Sequence, residues 1–146
     1  MKTFLKLKGN YKDLIAYQKA ECIYDITYYF AHNFLSKKDR TIDQMIQAAR
    51  SGKQNIAEGN SAATTSLETE LKLINVARAS LQELLLDYED YLRVNKFEQW
   101  DINSSKAIQT RKICSKHNDS AYYRDAITKR NSETIANIAI TLIHQE

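Results

Sequence analysis

The stretch Gln44-Met-Ile-Gln-Ala-Ala-Arg-Ser-Gly-Lys-Gln-Asn-Ile-Ala-Glu-Gly59 decides the fold that we predict for this chain. Its apolar and small residues recur at close to 3.5 residues, which predicts a helix packed along one side. Gly52 costs about 1 kcal/mol relative to alanine in a helix interior, so we expect close approach of another helix there. Gly59 predicts a left-handed stop at the end of the helix.

Composition favours an all-α domain. The chain has 146 residues, no proline and three glycines, so one core is expected and the usual punctuation of β-hairpins is missing. The segment Met1–Gly9 does not match a signal peptide, and no run reaches the roughly twenty apolar residues of a membrane helix. Cys22 and Cys114 are far apart in the sequence, which favours reduced thiols in a cytoplasmic protein.

Apolar residues at helical spacing predict an antiparallel up-and-down four-helix bundle in a single domain, 1–146, with an extra short helical segment between helices 3 and 4. Capping boxes at Thr41–Gln44 and Thr65–Glu68 predict where helices 2 and 3 begin. Phe97–Trp100 is expected to be an apolar plug over one end. The predicted elements are helix 1 at about 12–35, helix 2 at about 41–58, helix 3 at about 66–95, a basic connecting segment at about 104–130 and helix 4 at about 132–145.

Charge is distributed unevenly around a net charge of +3. Seven basic residues lie between Lys106 and Arg130 against only Asp119 and Asp125, whereas the segment from Glu83 to Asp90 is acidic. Such a pattern is typical of a surface that meets phosphate on one side and a second subunit on the other, although solvated helix faces explain single charges equally well.

Three groups of residues match a known pattern of polar residues at fixed offsets. They are Tyr11, Asp13, Leu14, Tyr17, Gln18, Lys19 and Ala20; then Gln44, Ala48, Ala49, Ser51 and Asn55-Ile-Ala-Glu-Gly59; then Ala77, Arg78, Ala79, Ser80, Glu83 and Leu84. Over about 11–93 the chain resembles the bacterial four-helix-bundle family encoded in intervening sequences of large-subunit ribosomal RNA genes, which is related to the accessory protein of diversity-generating retroelements. It departs at Ile46 and Gln47, where the family has paired arginines. The basic stretch 104–130 resembles the variant with an extended C-terminal suffix.

This resemblance implies a homo-oligomer, a pentamer in the retroelement members, that binds structured RNA or DNA through charge rather than base reading. The candidates for phosphate contact are Lys37, Lys38, Arg40, Arg50, Lys53, Lys72, Arg111, Lys112, Lys116, Lys129 and Arg130. A structural motif is expected at Gln44, Asn55, Glu58, Gly59, Ser80 and Glu83, in which Asn55, Glu58, Ser80 and Glu83 form a buried polar cluster between helices 2 and 3.

No catalytic residues, metal or cofactor are predicted, and the chain is interpreted as a non-enzyme. The three histidines lack the i, i+4 partners of a helical zinc site, and no Glu-x-x-His pair is present. Two alternatives remain. Arg111 and His117 resemble the motif of HEPN-class ribonucleases, in which the histidine is a general base and the arginine steadies the phosphate. Nine tyrosines instead suit a protein–protein scaffold that binds no nucleic acid.

Overall fold

The protein is all-helical across the residues that its computed structural model describes, 14–61 and 66–146. No strand occurs within those ranges, which confirms the predicted all-α class. Tyr11, Asp13 and Thr65, which the sequence analysis used, lie outside the described residues. The helices are α1 (Ile15–Phe34), α2 (Thr41–Gly59), α3 (Leu67–Val94), α4 (Ser105–Lys116), α5 (Ser120–Ile127) and α6 (Ser132–Gln145).

All six helices contribute to the main core cluster, and Ala20, Ile56 and Ala77 form a second, smaller cluster between α1, α2 and α3. α2 packs between α1 and α3, and α6 packs against both α1 and α3, while α4 lies on α6 and α5 lies on α1. At the centre, the ring of Phe30 lies 5.0 Å from that of Tyr88 and 4.8 Å from that of Tyr91. The buried hydroxyls of Thr27 and Tyr88 share a hydrogen bond of 2.8 Å.

Close packing of α2 against α3 explains both glycines of the quoted stretch. A Cβ on Gly52 would lie 2.8 Å from Cδ2 of Leu81, and one on Gly59 would lie 3.1 Å from Cδ1 of Ile74. The expected close approach at Gly52 is therefore present. The left-handed stop predicted at Gly59 is wrong, because Gly59 belongs to the helix and has no positive φ. A side chain at Gly59 would instead crowd Ile74 on α3.

Both predicted capping boxes need correction. The backbone N–H of Thr41 donates to Oδ1 of Asp39 at 2.9 Å, so the preceding loop caps α2 and the hydroxyl of Thr41 does not. For α3 the cap is Ser66, whose Oγ accepts from the N–H of Thr69 at 3.3 Å. The cap is shifted because the residue that has extended backbone at the helix start is Ser66.

The basic connecting segment contains two helices, α4 and α5, where one short helical segment was predicted. Asn131 ends this segment, since its side-chain oxygen accepts from the N–H of Thr134 at 2.8 Å and so caps α6.

The segment after α3 turns back along α6 and does not form the predicted plug. Lys96 adopts a φ of 60°, and the N–H of Phe97 donates to the carbonyl of Leu92, as in a Schellman ending. The side chain of Phe97 remains exposed. Buried Asn137 then holds the segment, accepting from the N–H of Trp100 and donating to the carbonyl of Glu98, both at 2.9 Å.

Candidate nucleic-acid interface

The candidate basic residues fall into separate regions of the surface. Five lie in two loops, Arg50 and Lys53 lie on α2, Lys72 lies on α3, and Arg111, Lys112 and Lys116 lie on α4. All of them are exposed except Lys53 and Arg111, which are half-buried. The structure therefore does not bring all eleven candidates together on one face.

The five loop residues share one end of the molecule, and we call them the loop-end group: Lys37, Lys38, Arg40, Lys129 and Arg130. The two loops lie at the same end because the ring of Tyr91 packs on Phe30, near the end of α1, and its hydroxyl donates to Ser132 at the start of α6. Asn33 and Thr128, which flank the two loops, also line one groove. The α1–α2 loop begins at Leu35, and the α5–α6 loop begins at Thr128.

All members of the loop-end group are exposed, and none lies within salt-bridge distance of a carboxylate in residues 14–61 and 66–146. Arg124, by contrast, pairs with Asp25 at 3.7 Å. Clustered cations without acidic partners attract polyanions, because phosphate contact releases counterions from the nucleic acid. The two loops of the loop-end group hold five cations and one acidic residue, Asp39.

The basic residues of α4 are spread along the helix. Lys106 lies near the start of α6, since it lines a cavity with Thr134, whereas the carbonyl of Arg111 accepts from Gln145 at the end of α6. Lys106 and Lys116 are thus separated by about 15 Å of helix. Lys112 and Lys116 are exposed. The stretch from Lys106 to Arg130 therefore does not form one compact phosphate-binding patch.

The buried side chain of Lys19 holds α4 against α1 and α6. No role was predicted for it from the sequence. Nζ of Lys19 donates to the carbonyl of Cys114 at 2.9 Å and to Oε1 of Gln145 at 3.1 Å. A cation near the C-terminal carbonyls of α4 is favourable because those groups carry partial negative charge. Lys19 thereby joins α1, α4 and α6 and positions Arg111, whose carbonyl is bonded to Gln145.

The candidates on α2 and α3 have local partners or neighbours. Nζ of Lys53 lies 4.5 Å from the ring centroid of Tyr24, in a cation–π arrangement that lowers its availability for phosphate. Lys72 lines a shallow groove on α3 together with the exposed side chains of Leu71 and Val76.

The predicted polar cluster between α2 and α3 is smaller than expected. Oγ of Ser51 and Oγ of Ser80 are 2.8 Å apart, and Asn55 donates to both the carbonyl and the hydroxyl of Ser51. Glu58 and Glu83, which were expected to be buried in this cluster, are exposed because they lie on the outer sides of their helices. Gln44, expected in the same motif, is also exposed.

Arg111 and His117 of the ribonuclease alternative lie in different surroundings. Arg111 lines a cavity with Asp101 and His144, between α4 and α6. The ring of His117 stacks on Tyr122 with centroids 3.8 Å apart and planes within 3°. Within residues 14–61 and 66–146, no group of three His, Cys, Asp or Glu side chains is placed to hold a metal ion.

Burial and neighbouring acids raise the pKa of Asp87, which lies in the acidic part of α3. Burial is the main cause, and Asp90 and Glu83 add to it. The acidic surface of α3 is therefore unsuited to phosphate and is chemically distinct from the loop-end group.

A tyrosine-rich groove lies between α1 and α5. It measures about 510 Å³ and is lined by Tyr24, Tyr28 and Tyr29 with His32. The rings of Tyr28 and His32 are 4.5 Å apart, and Tyr28 is half exposed. This groove is the feature that suits a protein partner.

Comparison with known proteins gave no match to a family model, a curated protein or a solved structure. The resemblance described above therefore stays a prediction. In the described parts of the chain, no helix is both long and apolar enough to span a membrane.

Proposed function

We propose that this protein is a non-catalytic homo-oligomer that binds structured RNA or DNA through basic surfaces. The loop-end group carries the proposal, because it places five exposed cations from two separate loops at one end of the molecule. Contacts of this kind act on phosphate and give affinity that depends on salt far more than on sequence.

For the architecture we propose an antiparallel up-and-down four-helix bundle of α1, α2, α3 and α6, as in the family that the sequence resembles. Ser51 meets Ser80 and Gly59 meets Ile74, which supports opposite directions for α2 and α3. The buried free cysteines Cys22 and Cys114 are compatible with the cytoplasmic location that belongs to this proposal.

Self-association is supported by apolar side chains on the outer side of α3. Leu71, Val76 and Leu86 are 54%, 41% and 51% exposed. Such residues on one exposed helix are typical of an interface. Light scattering should return a mass above the 16.9 kDa of one chain. Leu86→Lys should lower that mass, whereas Gln54→Lys, at an exposed polar position of α2, is the control.

Binding is best tested by fluorescence anisotropy with a labelled RNA hairpin and a DNA duplex over a range of salt. The triple variant Lys37→Ala, Lys38→Ala and Arg40→Ala should reduce the salt slope by up to about three, since each phosphate contact contributes about 0.9. Arg78→Ala removes an exposed cation outside the candidate set and is the matched control.

A second triple, Arg111→Ala, Lys112→Ala and Lys116→Ala, tests whether α4 contributes instead. An unchanged slope in both triples would contradict binding through these basic surfaces. Cleavage of the RNA hairpin that His117→Ala abolishes would favour the HEPN-like ribonuclease alternative.

The tyrosine-rich groove supports a second candidate function, a protein–protein scaffold without nucleic-acid binding. Tyrosine is enriched in the centres of protein interfaces, and Tyr28 is available there. This function would be favoured if the wild-type protein bound neither nucleic acid at low salt.

A further inference from the structure

A cavity of about 260 Å³ lies between α4, α5 and α6, close to the loop-end group. Its lining comes from four parts of the chain: Trp100 after α3, Lys106 on α4, Tyr122 and Arg130 on and after α5, and Thr134 on α6. No motif in the sequence links these residues, so the cavity is a product of the fold.

The cavity has exposed cations at its rim and buried side chains at its inner wall, and Gln109, Thr110 and Thr134 add neutral polar groups to its lining. Lys106 and Arg130 are exposed, whereas Cys114 and Tyr123 are buried at its inner wall. No lining residue carries a carboxylate, and neither rim cation has an acidic partner within the described ranges 14–61 and 66–146. A ligand that matches this gradient is anionic at one end and apolar at the other.

Aromatic rings give the cavity rigid walls. The ring of Tyr122 is held by its stack on His117 and by an edge contact with Tyr123 at 5.1 Å. Nζ of Lys106 lies 5.7 Å from the ring centroid of Trp100, so a cation and a flat ring adjoin at one side. Flat aromatic walls select flat ring systems, and nucleobases stack on them without regard to sequence.

Size limits the ligand to a small one. Pockets for drug-sized ligands are roughly 300–1,000 Å³, and this cavity lies just below that range. One base with one sugar phosphate at the rim is compatible with this size, whereas a second nucleotide would remain outside.

We propose that this cavity binds one nucleoside monophosphate unit, with its base beside the aromatic side chains of Trp100 and Tyr122 and its phosphate on Lys106 and Arg130. The unit is either a free mononucleotide or an unpaired nucleotide of a bound strand. In the second case the inference rests on the proposed function and adds to it a site for a single unpaired nucleotide.

Trp100 is the only tryptophan of the chain, so its fluorescence reports on this cavity directly. AMP should change the fluorescence saturably, and inorganic phosphate and adenosine should do so much more weakly. The double variant Lys106→Gln and Arg130→Gln should weaken AMP binding at least about tenfold, because two charge-assisted contacts are lost. The double variant Arg78→Gln and Arg93→Gln removes two exposed cations of α3 that do not line the cavity, and as the matched control it should bind as the wild type does.

Displacement of bound AMP by nucleic acid distinguishes a free mononucleotide from a nucleotide of a bound strand. An unpaired oligonucleotide that displaces AMP more effectively than a blunt duplex indicates a strand as the source, whereas displacement by neither indicates the free mononucleotide. The proposal is overturned if AMP at about 1 mM leaves the fluorescence of folded protein unchanged, or if phosphate alone gives the same response.

Failure of this site and failure of the proposed function give different results. Salt-dependent RNA binding without any AMP response would retain the function and remove the cavity as a site. An AMP response without RNA or DNA binding would retain the cavity and remove the function.

Discussion

Gly52→Ala should destabilise the protein although alanine is the better helix former. Alanine gains about 1 kcal/mol in helix propensity over glycine. Its Cβ would lie 2.8 Å from Cδ2 and 2.9 Å from Cγ of Leu81, closer than ordinary contacts of 3.4–4 Å. Leu81 is only 4% exposed and cannot swing into solvent. Overpacking of this kind costs about 1–3 kcal/mol, so the net loss should reach up to about 2 kcal/mol.

Larger side chains at the same position should be worse. Gly52→Leu should lower the free energy of unfolding by more than about 2 kcal/mol, because it inserts three further carbons into the contact with Leu81. Melting temperature should fall by several degrees, since about 1 kcal/mol corresponds to roughly 2–4 °C in a chain of this size.

Urea denaturation of four proteins at one protein concentration tests the reasoning: wild type, Gly52→Ala, Leu81→Ala and the double variant. Leu81→Ala removes all three side-chain atoms that crowd Gly52. In that background Gly52→Ala should stabilise by up to about 1 kcal/mol, so the effect changes sign and the coupling energy is about 1–3 kcal/mol. If Gly52→Ala stabilises the wild-type protein, close contact between α2 and α3 at this point is refuted.

Three further predictions concern single contacts. Tyr88→Phe should lower the free energy of unfolding by about 1–2 kcal/mol, because it leaves the buried hydroxyl of Thr27 without this partner. Urea denaturation measures the loss, and adding Thr27→Val should recover part of it. Lys96→Gly should raise the melting temperature, since glycine tolerates the φ of 60° that strains lysine by about 1–2 kcal/mol; a lower melting temperature would contradict this. Asp39→Ala should destabilise the protein more than Thr41→Ala, because Asp39 caps the start of α2. Hydrogen bonds from the backbone N–H and then the hydroxyl of Thr41 lower the pKa of Asp39. Its stabilisation is therefore present at neutral pH and is lost as the pH falls through that lowered pKa, which denaturation at two pH values measures.

Helix periodicity predicts this core well because burial of an apolar stripe dominates the energetics of each helix. Ile23, Ile26 and Phe30, which recur at helical spacing in the sequence, are fully buried in α1. The same rule fails at the start of α3, where Leu67 and Leu71 are 68% and 54% exposed. α3 has 28 residues against 19 in α2, and Gly59 at the end of α2 already meets Ile74, so the first turns of α3 extend past their neighbour.

The cap of α2 and the composition of the cavity depend on how the chain folds in space, which the sequence pattern does not predict. Asp39 satisfies the start of α2 because the loop turns its carboxylate toward Thr41, and the local pattern favoured Thr41 itself. The cavity joins Lys106, Trp100 and Arg130, which belong to three separate segments. The high density of basic residues in that part of the chain was a usable signal, but it could not indicate which of them would be neighbours.

The most direct test of the proposed function is the affinity of the wild-type protein for a labelled RNA hairpin, measured from about 50 mM to about 200 mM salt. If each of the five cations of the loop-end group contacts one phosphate, the slope of log Kobs against log salt should be about −4.5 per bound subunit, at about 0.9 for each contact. A DNA duplex of unrelated sequence should give a similar slope. Absence of binding at about 50 mM salt, or an affinity that does not change with salt, would contradict nucleic-acid binding through these basic surfaces.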